Sequence, residues 1–542
     1  MSSRRDFILS SSAVSLAACL PVLRNSGPRV DVVIRGGTVF DGSLNALGVE
    51  SDVALDGGRV VAIGRRLAEQ GTLEVEAKGL AVSPGFIDVH SHGDNTLFAD
   101  PNAESMIRQG VTTVVVGQDG SSRGPRTPSD EDSDRESLRD FFDSVNQLPP
   151  AINVASMVGL GTVRGAVMGN ENRPATAAEL ERMVALVERS LVDGACGASS
   201  GLEYTPGAFA PLAELIALCK PLARRRLPYS THMRNEDDTL IESIDESIAV
   251  ARGAGCPLQI AHLKTQGPRN WPKLDTVFAR VAAARAEGID AAFDRYPYLA
   301  YQTGLSNLFP VWARDGKPED FLRRIDESAT AARIRAYAEE KAALIGGWHN
   351  VQIASVSAAA DKPAEGMRLD DVAKARGLPS YETAVALLKA NGGSVGMVGF
   401  AMSEENLERI LAHPLAMVCS DGGSFAISGP ARRGHPHPRG VGTFARVLAR
   451  YVRERKALSL GAAIHKMSAL AAQRLRLAGR GMLRVGGAGD VVVFDPATVA
   501  DRATFAEPFQ YAVGITAVFV NGSMALLDGQ RGARTGRALR VT

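Results

Sequence analysis

The spacing of apolar and polar positions changes twice along this chain. Residues 31–80 alternate with period two between frequent Gly and Asp turns: V-D-V-V-I-R-G-G-T-V-F-D-G, then S-D-V-A-L-D-G-G-R-V-V-A-I-G. Such a texture predicts short antiparallel strands joined by tight turns. The C-terminal tail repeats it, with G-D-V-V-V-F-D-P from Gly489 and A-V-F-V-N-G-S from Ala517. The two ends together predict one small β-sandwich domain, over residues 28–83 and 480–542.

Between them, short β-branched runs alternate with stretches rich in Ala, Leu, Glu and Arg, the rhythm of repeated βα units. Eight strands are expected: Phe86–His90, Thr112–Gly117, Asn153–Val158, Gly197–Gly201, Tyr229–His232, Leu258–His262, Ile289–Asp294 and Ala416–Asp421. Helices such as Ala177–Val192 and Asp238–Gly253 separate them. Eight units close most economically as an α/β fold, a (β/α)8 TIM-like barrel over 84–479. The stretch from the seventh strand to the eighth is far longer than a loop. It predicts an insertion over about 299–410, with helical stretches Pro318–Leu344 and Tyr381–Asn391, covering the barrel mouth.

Composition narrows the picture. The 542 residues are 45% apolar and 22% charged, an ordinary balance for a globular chain. Net charge is +1, from 61 basic and 60 acidic residues, which argues against a nucleic-acid partner. No internal apolar run reaches the ~18 residues of a membrane span. At the N-terminus, Arg4-Arg5 precedes the apolar stretch Ile8–Leu20, which reads as a twin-arginine export signal within residues 1–27. Leu16-Ala17-Ala18-Cys19 resembles a lipobox. The expectation is a periplasmic or cell-envelope lipoprotein whose membrane contact is a lipid on Cys19; the alternative is a plain cleaved signal peptide. Cys196, Cys219, Cys256 and Cys419 stand singly and read as small core residues.

The chemistry begins at Pro84–Asp94, P-G-F-I-D-V-H-S-H-G-D. On a strand His90 and His92 would share a face, roughly 6.5–7 Å apart. His232 and His262 close the fifth and sixth strands, and Asp421 follows the eighth. Barrel chemistry sits at the C-terminal ends of strands. Four of the nine histidines gathered at that edge, with an aspartate, predict a divalent-metal site. His349, His413, His435, His437 and His465 fall in loops or helices and read as packing residues.

The chain resembles the N-acyl-D-amino-acid deacylases, or D-aminoacylases, of the amidohydrolase superfamily. The motifs are P-G-F-I-D-V-H-S-H-G-D, Q-G-V-T-T-V-V-V-G, S-S-G-L-E-Y-T-P-G, S-T-H-M-R-N-E, A-H-L-K, D-R-Y-P-Y, S-D-G-G, H-P-R-G-V-G-T-F-A-R-V-L and G-D-V-V-V-F-D-P. The resemblance implies one or two divalent ions, zinc first among them, and hydrolysis of an N-acyl-D-amino acid. The family's bridging cysteine stands in G-N-C-G; here the stretch reads Gly117-Gln118-Asp119-Gly120, so Asp119 takes that slot. A bridging lysine is not available in Gly194–Gly207, which contains none. The implied ligands are His232, His262 and Asp119 for a principal ion, and His90, His92 and Asp119 for a second. Asp421, also close to the metal, would be general base and then acid. The substrate carboxylate would fall to Lys264 and Arg439, with Tyr296 or Tyr298 assisting. Arg432 and Arg433, in the same loop as Arg439, are candidates to read an acidic side chain. Competing expectations are a dihydropyrimidinase- or hydantoinase-like enzyme, a D-dipeptidase, and a surface binding protein without turnover.

Overall fold

The computed structural model describes residues 27–44, 46–125 and 137–541. The export signal and Cys19, apart from Gly27, lie outside the described residues.

Eight parallel strands form the central barrel. They are β1 (Phe86–Asp88), β2 (Val111–Val116), β3 (Asn153–Ser156), β4 (Ala198–Gly201), β5 (Tyr229–His232), β6 (Leu258–Ile260), β7 (Ala291–Arg295) and β8 (Ala416–Val418). Strands β1–β3 pair in one parallel run. Val158–Gly159, just past β3, opens a second run that continues through β4 to β8. The seam between β8 and β1 is closed just beyond the strands. Ser91 bridges Gly422, the Asp421 N–H donates to the His90 carbonyl at 2.8 Å, and the His92 N–H donates to the Gly422 carbonyl at 2.9 Å. Below this, Asp88 accepts the Ser420 N–H at 2.8 Å. The barrel strands are buried throughout, which is why they read as apolar runs rather than alternating ones.

The helix Ala177–Asp193 shows how the outer ring is specified. Thr176 caps it, accepting the Glu179 N–H, while the Glu179 carboxylate accepts the Thr176 N–H at 2.8 Å. Gly194 ends it at φ 112°, a left-handed cap that glycine adopts freely. Met183, Val187 and Leu191, at i, i+4 and i+8, are its buried stripe. Each contributes about 1.5–3 kcal/mol by leaving water.

The flanking β domain is one hydrogen-bonded sheet of nine strands. Its N-terminal half runs from Arg29–Val39 to Ala81–Pro84, and its C-terminal half from Val491–Phe494 to Gln530–Arg531. The halves join where Val82 pairs antiparallel with Val493. Val32, Val53, Val82, Val491 and Phe519 share its core. The tail then leaves the sheet, and Ala538 bridges Val154 of β3.

The segment between β7 and β8 carries helices, including Pro318–Asp326, Ala331–Leu344 and Ser380–Ala390. It also holds a three-stranded antiparallel sheet, Ala300–Gly304, Val351–Ser355 and Gly396–Phe400, that the helical reading missed. Among the described residues no helix is long and apolar enough to cross a membrane. Cys196, Cys219, Cys256 and Cys419 are buried and unbridged.

Barrel closure depends on Gly422. A Cβ there would lie 2.5 Å from Gly440 Cα and 2.8 Å from Gly440 N, both backbone atoms. Gly422→Ala is expected to destabilise by about 1–3 kcal/mol, read as a lower Tm in thermal denaturation; an unchanged Tm would show that the seam has room.

Candidate metal centre and active site

Five barrel strands deliver the polar cluster at their C-terminal ends. The loop after β1 carries His90 and His92, that after β2 carries Asp119, β5 ends in His232, and the turns after β6 and β8 carry His262 and Asp421. Asp119, His262 and Asp421 adopt left-handed backbone, at φ 51°, 34° and 50°. Non-glycine residues visit that region rarely and at a cost, so it marks places where the chain is held against its preference. Here it turns three side chains inward just past the strands. Gly120 permits the turn beside Asp119, since a Cβ there would meet the Gly201 N at 2.7 Å.

Asp119 is the hub. Its Oδ1 lies 3.4 Å from both His90 Nε2 and His262 Nε2. Its Oδ2 lies 3.4 Å from His92 Nε2 and 3.8 Å from His232 Nδ1. Asp421 Oδ1 is 3.5 Å from His90 Nε2 and 3.2 Å from His92 Nε2. Ligands held at 2.0–2.1 Å around a tetrahedral ion stand about 3.3–3.4 Å apart. The donors therefore have the spacing of ligands around a small cation. Both ring nitrogens of His90 and Oδ1 of Asp119 are buried without a hydrogen-bond partner. Orphaned buried polar atoms call for a missing partner, and a divalent cation fits them. One four-residue group, His90, Asp119, His262 and Asp421, has donor atoms all within 4.8 Å of one another. It cuts across the two pairs, His232/His262 and His90/His92, that the resemblance implies for separate ions.

A second layer of carboxylates orients the imidazoles. His262 Nδ1 is 3.2 Å from Glu236 Oε1, and His232 Nε2 is 3.3 Å from Glu203 Oε2. In each ring the other nitrogen faces Asp119, and His262 Nδ1 also lies 2.6 Å from the Lys264 ammonium. Asp294 accepts the His262 N–H at 2.8 Å and the Gln259 amide at 2.6 Å. None of Glu203, Glu236 and Asp294 was assigned from sequence, although all lie in the quoted S-S-G-L-E, S-T-H-M-R-N-E and D-R-Y-P-Y motifs.

The electrostatics follow from this packing. Burial opposes a charge on His92, but Asp119 and Asp421 outweigh it and hold its pKa up at about 10. His232 is also about 10, burial being outweighed by Glu236, Asp119 and Glu203. Burial likewise opposes the Asp421 anion, yet the Arg439 guanidinium and the nearby histidines hold its carboxyl well below the usual range.

The cluster opens into a cavity of about 620 Å³, within the span usual for small-molecule sites. Lys264 lines it, with Nζ 2.6 and 2.7 Å from the two Glu236 oxygens. Arg439 lines it with Nη1 2.7 Å from Asp421 Oδ2, while its buried Nε has no partner. The Tyr296 ring lies 4.8 Å from the Arg439 guanidinium, and its buried hydroxyl is also unpartnered. Tyr298 is not on the cavity wall. Its N–H turns back onto the Tyr296 carbonyl at 3.0 Å, breaking strand alternation, and its ring packs edge-on against His437. The expectation that Tyr298 meets substrate is corrected accordingly.

A parallel barrel with histidines and carboxylates converging at its C-terminal mouth defines a metal-dependent hydrolase of the (β/α)8 class. The chain belongs to the amidohydrolase family, whose model matches residues 73–525. It is 35% identical over 525 residues to D-aminoacylase of Alcaligenes xylosoxydans xylosoxydans, covering 94% of this chain and 98% of that one. It is equally identical, over 530 residues, to the N-acyl-D-aspartate deacylase of the same organism, covering 94% of each. The structure of N-acyl-D-glutamate deacylase from Bordetella bronchiseptica, complexed with zinc and a phosphonate inhibitor that mimics the tetrahedral intermediate, superposes with a TM-score of 0.81. That match is 34% identical and covers 95% of this chain and 100% of the other.

Metal binding should release protons. His92 and His232 carry protons at neutral pH in the metal-free protein, and an ion requires them neutral. Affinity should therefore rise with pH, about tenfold per unit for each proton displaced, as measured by zinc competition against a chelator. A pH-independent affinity would mean that these imidazoles are already neutral. Asp119→Ala, which removes the group facing all four histidines, should lower zinc affinity at least ~100-fold in the same titration.

Proposed function

We propose that this protein hydrolyses the amide bond of N-acyl-D-amino acids, releasing a D-amino acid and a carboxylate. The observation that carries the reading is the cavity floor, where the metal cluster adjoins two buried, unpartnered donors, Arg439 Nε and the Tyr296 hydroxyl. Unpaired buried donors suit an anionic group, and the substrate's α-carboxylate is one. Relatives named for D-aminoacylase and N-acyl-D-aspartate deacylase activities support the D configuration.

His90, His92, Asp119, His232, His262 and Asp421 would hold one or two divalent ions, zinc first. A bound ion supplies polarisation of the scissile carbonyl and a water acidified toward pKa ~7. Asp421 takes the water's proton and delivers it to the departing nitrogen, which leaves poorly as an anion. Arg439 keeps Asp421 ionised and thus able to accept that proton. Glu203 and Glu236 keep His232 and His262 turned toward Asp119. Lys264 and Tyr296 flank the carboxylate from the side of β6 and β7. As a bridging group, Asp119 is a harder donor than a thiolate, which lessens the preference for zinc over manganese or cobalt.

We further propose export by the twin-arginine route and attachment to the cell envelope through a lipid on Cys19. Cys19→Ala should shift the protein from the membrane to the soluble fraction; an unchanged distribution would overturn lipidation.

The central test is a panel of N-acetyl-D- and N-acetyl-L-amino acids, with hydantoins and dihydropyrimidines alongside. The D series should be hydrolysed. Turnover of the rings alone, or of the L series in preference, would overturn the reading. Asp421→Asn should lower kcat ~10²–10⁴-fold with bound zinc retained by elemental analysis.

A further inference from the structure

The insertion between β7 and β8 supplies the cavity wall beside Lys264 and Tyr296. Leu308, Leu344, Ile345 and Met397 reach the cavity from it, and all four side chains are otherwise buried. An amino acid's α-carboxylate and its side chain hang from one carbon. With the carboxylate held near Arg439, Tyr296 and Lys264, the side chain points toward this wall.

The cation that lines the wall is already paired. Lys341 is ion-paired with Asp237, which also lines the cavity. Glu203 lines it too, adding negative potential. Arg314 lies behind the lining, its Nη groups donating to Asn307 Oδ1 at 2.6 Å and to the Glu203 carbonyl at 3.0 Å while its buried Nε has no partner; it does not line the cavity. Arg432 and Arg433, the sequence's candidates for reading an acidic side chain, are exposed and donate to the Ile427 and Pro430 carbonyls. Neither lines the cavity. A second carboxylate entering here would lose its water, meet no unpaired cation on this wall among the described residues, and face Asp237 and Glu203. Removing an ion from water without a partner is strongly unfavourable, whereas an apolar side chain leaves water at a gain.

We propose that this wall selects N-acyl-D-amino acids with apolar side chains, of the leucine, methionine and phenylalanine kind, and rejects the aspartate and glutamate kind. The inference rests on the deacylase reading above and specifies its substrate.

The test uses the zinc-loaded full chain with N-acetyl-D-leucine, -methionine, -aspartate and -glutamate. The apolar pair should exceed the acidic pair at least ~100-fold in kcat/KM. Asp237→Asn, nearly isosteric, frees Lys341 and should narrow the glutamate-to-leucine gap by ~10-fold or more. Leu344→Lys, which places a new cation on the wall, should narrow it independently if Asp237→Asn does not fold. Equal or better turnover of the acidic pair by the wild type, or no narrowing in a folded variant, overturns this proposal while the deacylase reading stands. No turnover of any N-acyl-D-amino acid overturns both.

Discussion

The buried carboxylate of Asp119, facing four imidazoles, is the constraint on which the barrel mouth depends. A lone carboxylate in so dry a place would be protonated or hydrated. Here His90, His92, His232 and His262 surround it at 3.4–3.8 Å, too far for good hydrogen bonds and suitably far for shared coordination. In the metal-free state protons retained on His92 and His232 balance the anion, while a cation would balance it with better geometry. The strained backbone of Asp119, His262 and Asp421 follows from this demand: three strand ends must turn sharply to converge on one point. The seam between β1 and β8 serves the same end, since it binds the loop of His90 and His92 to that of Asp421.

Around the hub, charge is arranged in alternating layers. Histidines meet Asp119 and Asp421; Glu203 and Glu236 meet the outer histidines; Lys264 meets Glu236, and Arg439 meets Asp421. Each layer neutralises the one inside it, so removing one member strands a buried partner, a loss larger than the pair's own net worth. The same layering leaves few donors uncommitted. Arg439 Nε and the Tyr296 hydroxyl are unpartnered donors that belong to residues lining the cavity.

The parts of this arrangement that were legible in the sequence are those governed by local periodicity. The run Tyr229–His232 forms a strand with the bounds its pattern implied, and the helix from Ala177 ends one residue past its expected end. Because strand ends in a βα barrel share one rim, histidines at the ends of separate strands could be grouped without a structure. What stayed hidden depends on turns and on distant pairing. Glu203 and Glu236 sit past strand ends in irregular segments, so no period assigned them a direction. Of the two tyrosines that the resemblance offered, Tyr298 is off the cavity wall because a tight turn after β7 carries its N–H back onto the Tyr296 carbonyl. The sheet of the insertion pairs Tyr301 with Gly399, residues too far apart for any local signal to join.

That insertion also supplies an apolar side of the cavity. The reacting groups ride on β1, β2, β5, β6 and β8, whose positions are tied together by barrel hydrogen bonds. The wall beside the carboxylate anchors comes from a segment with its own small sheet, whose Leu308, Leu344 and Met397 pack into the same core as the barrel. Substitutions at Leu308, Leu344, Ile345 or Met397 would change its polarity without removing a ligand of the cluster. Insertion and barrel are nonetheless joined: Arg314 of the insertion donates to the Glu203 carbonyl and Arg439 donates to the Gln302 carbonyl, so the wall and the anchors brace each other.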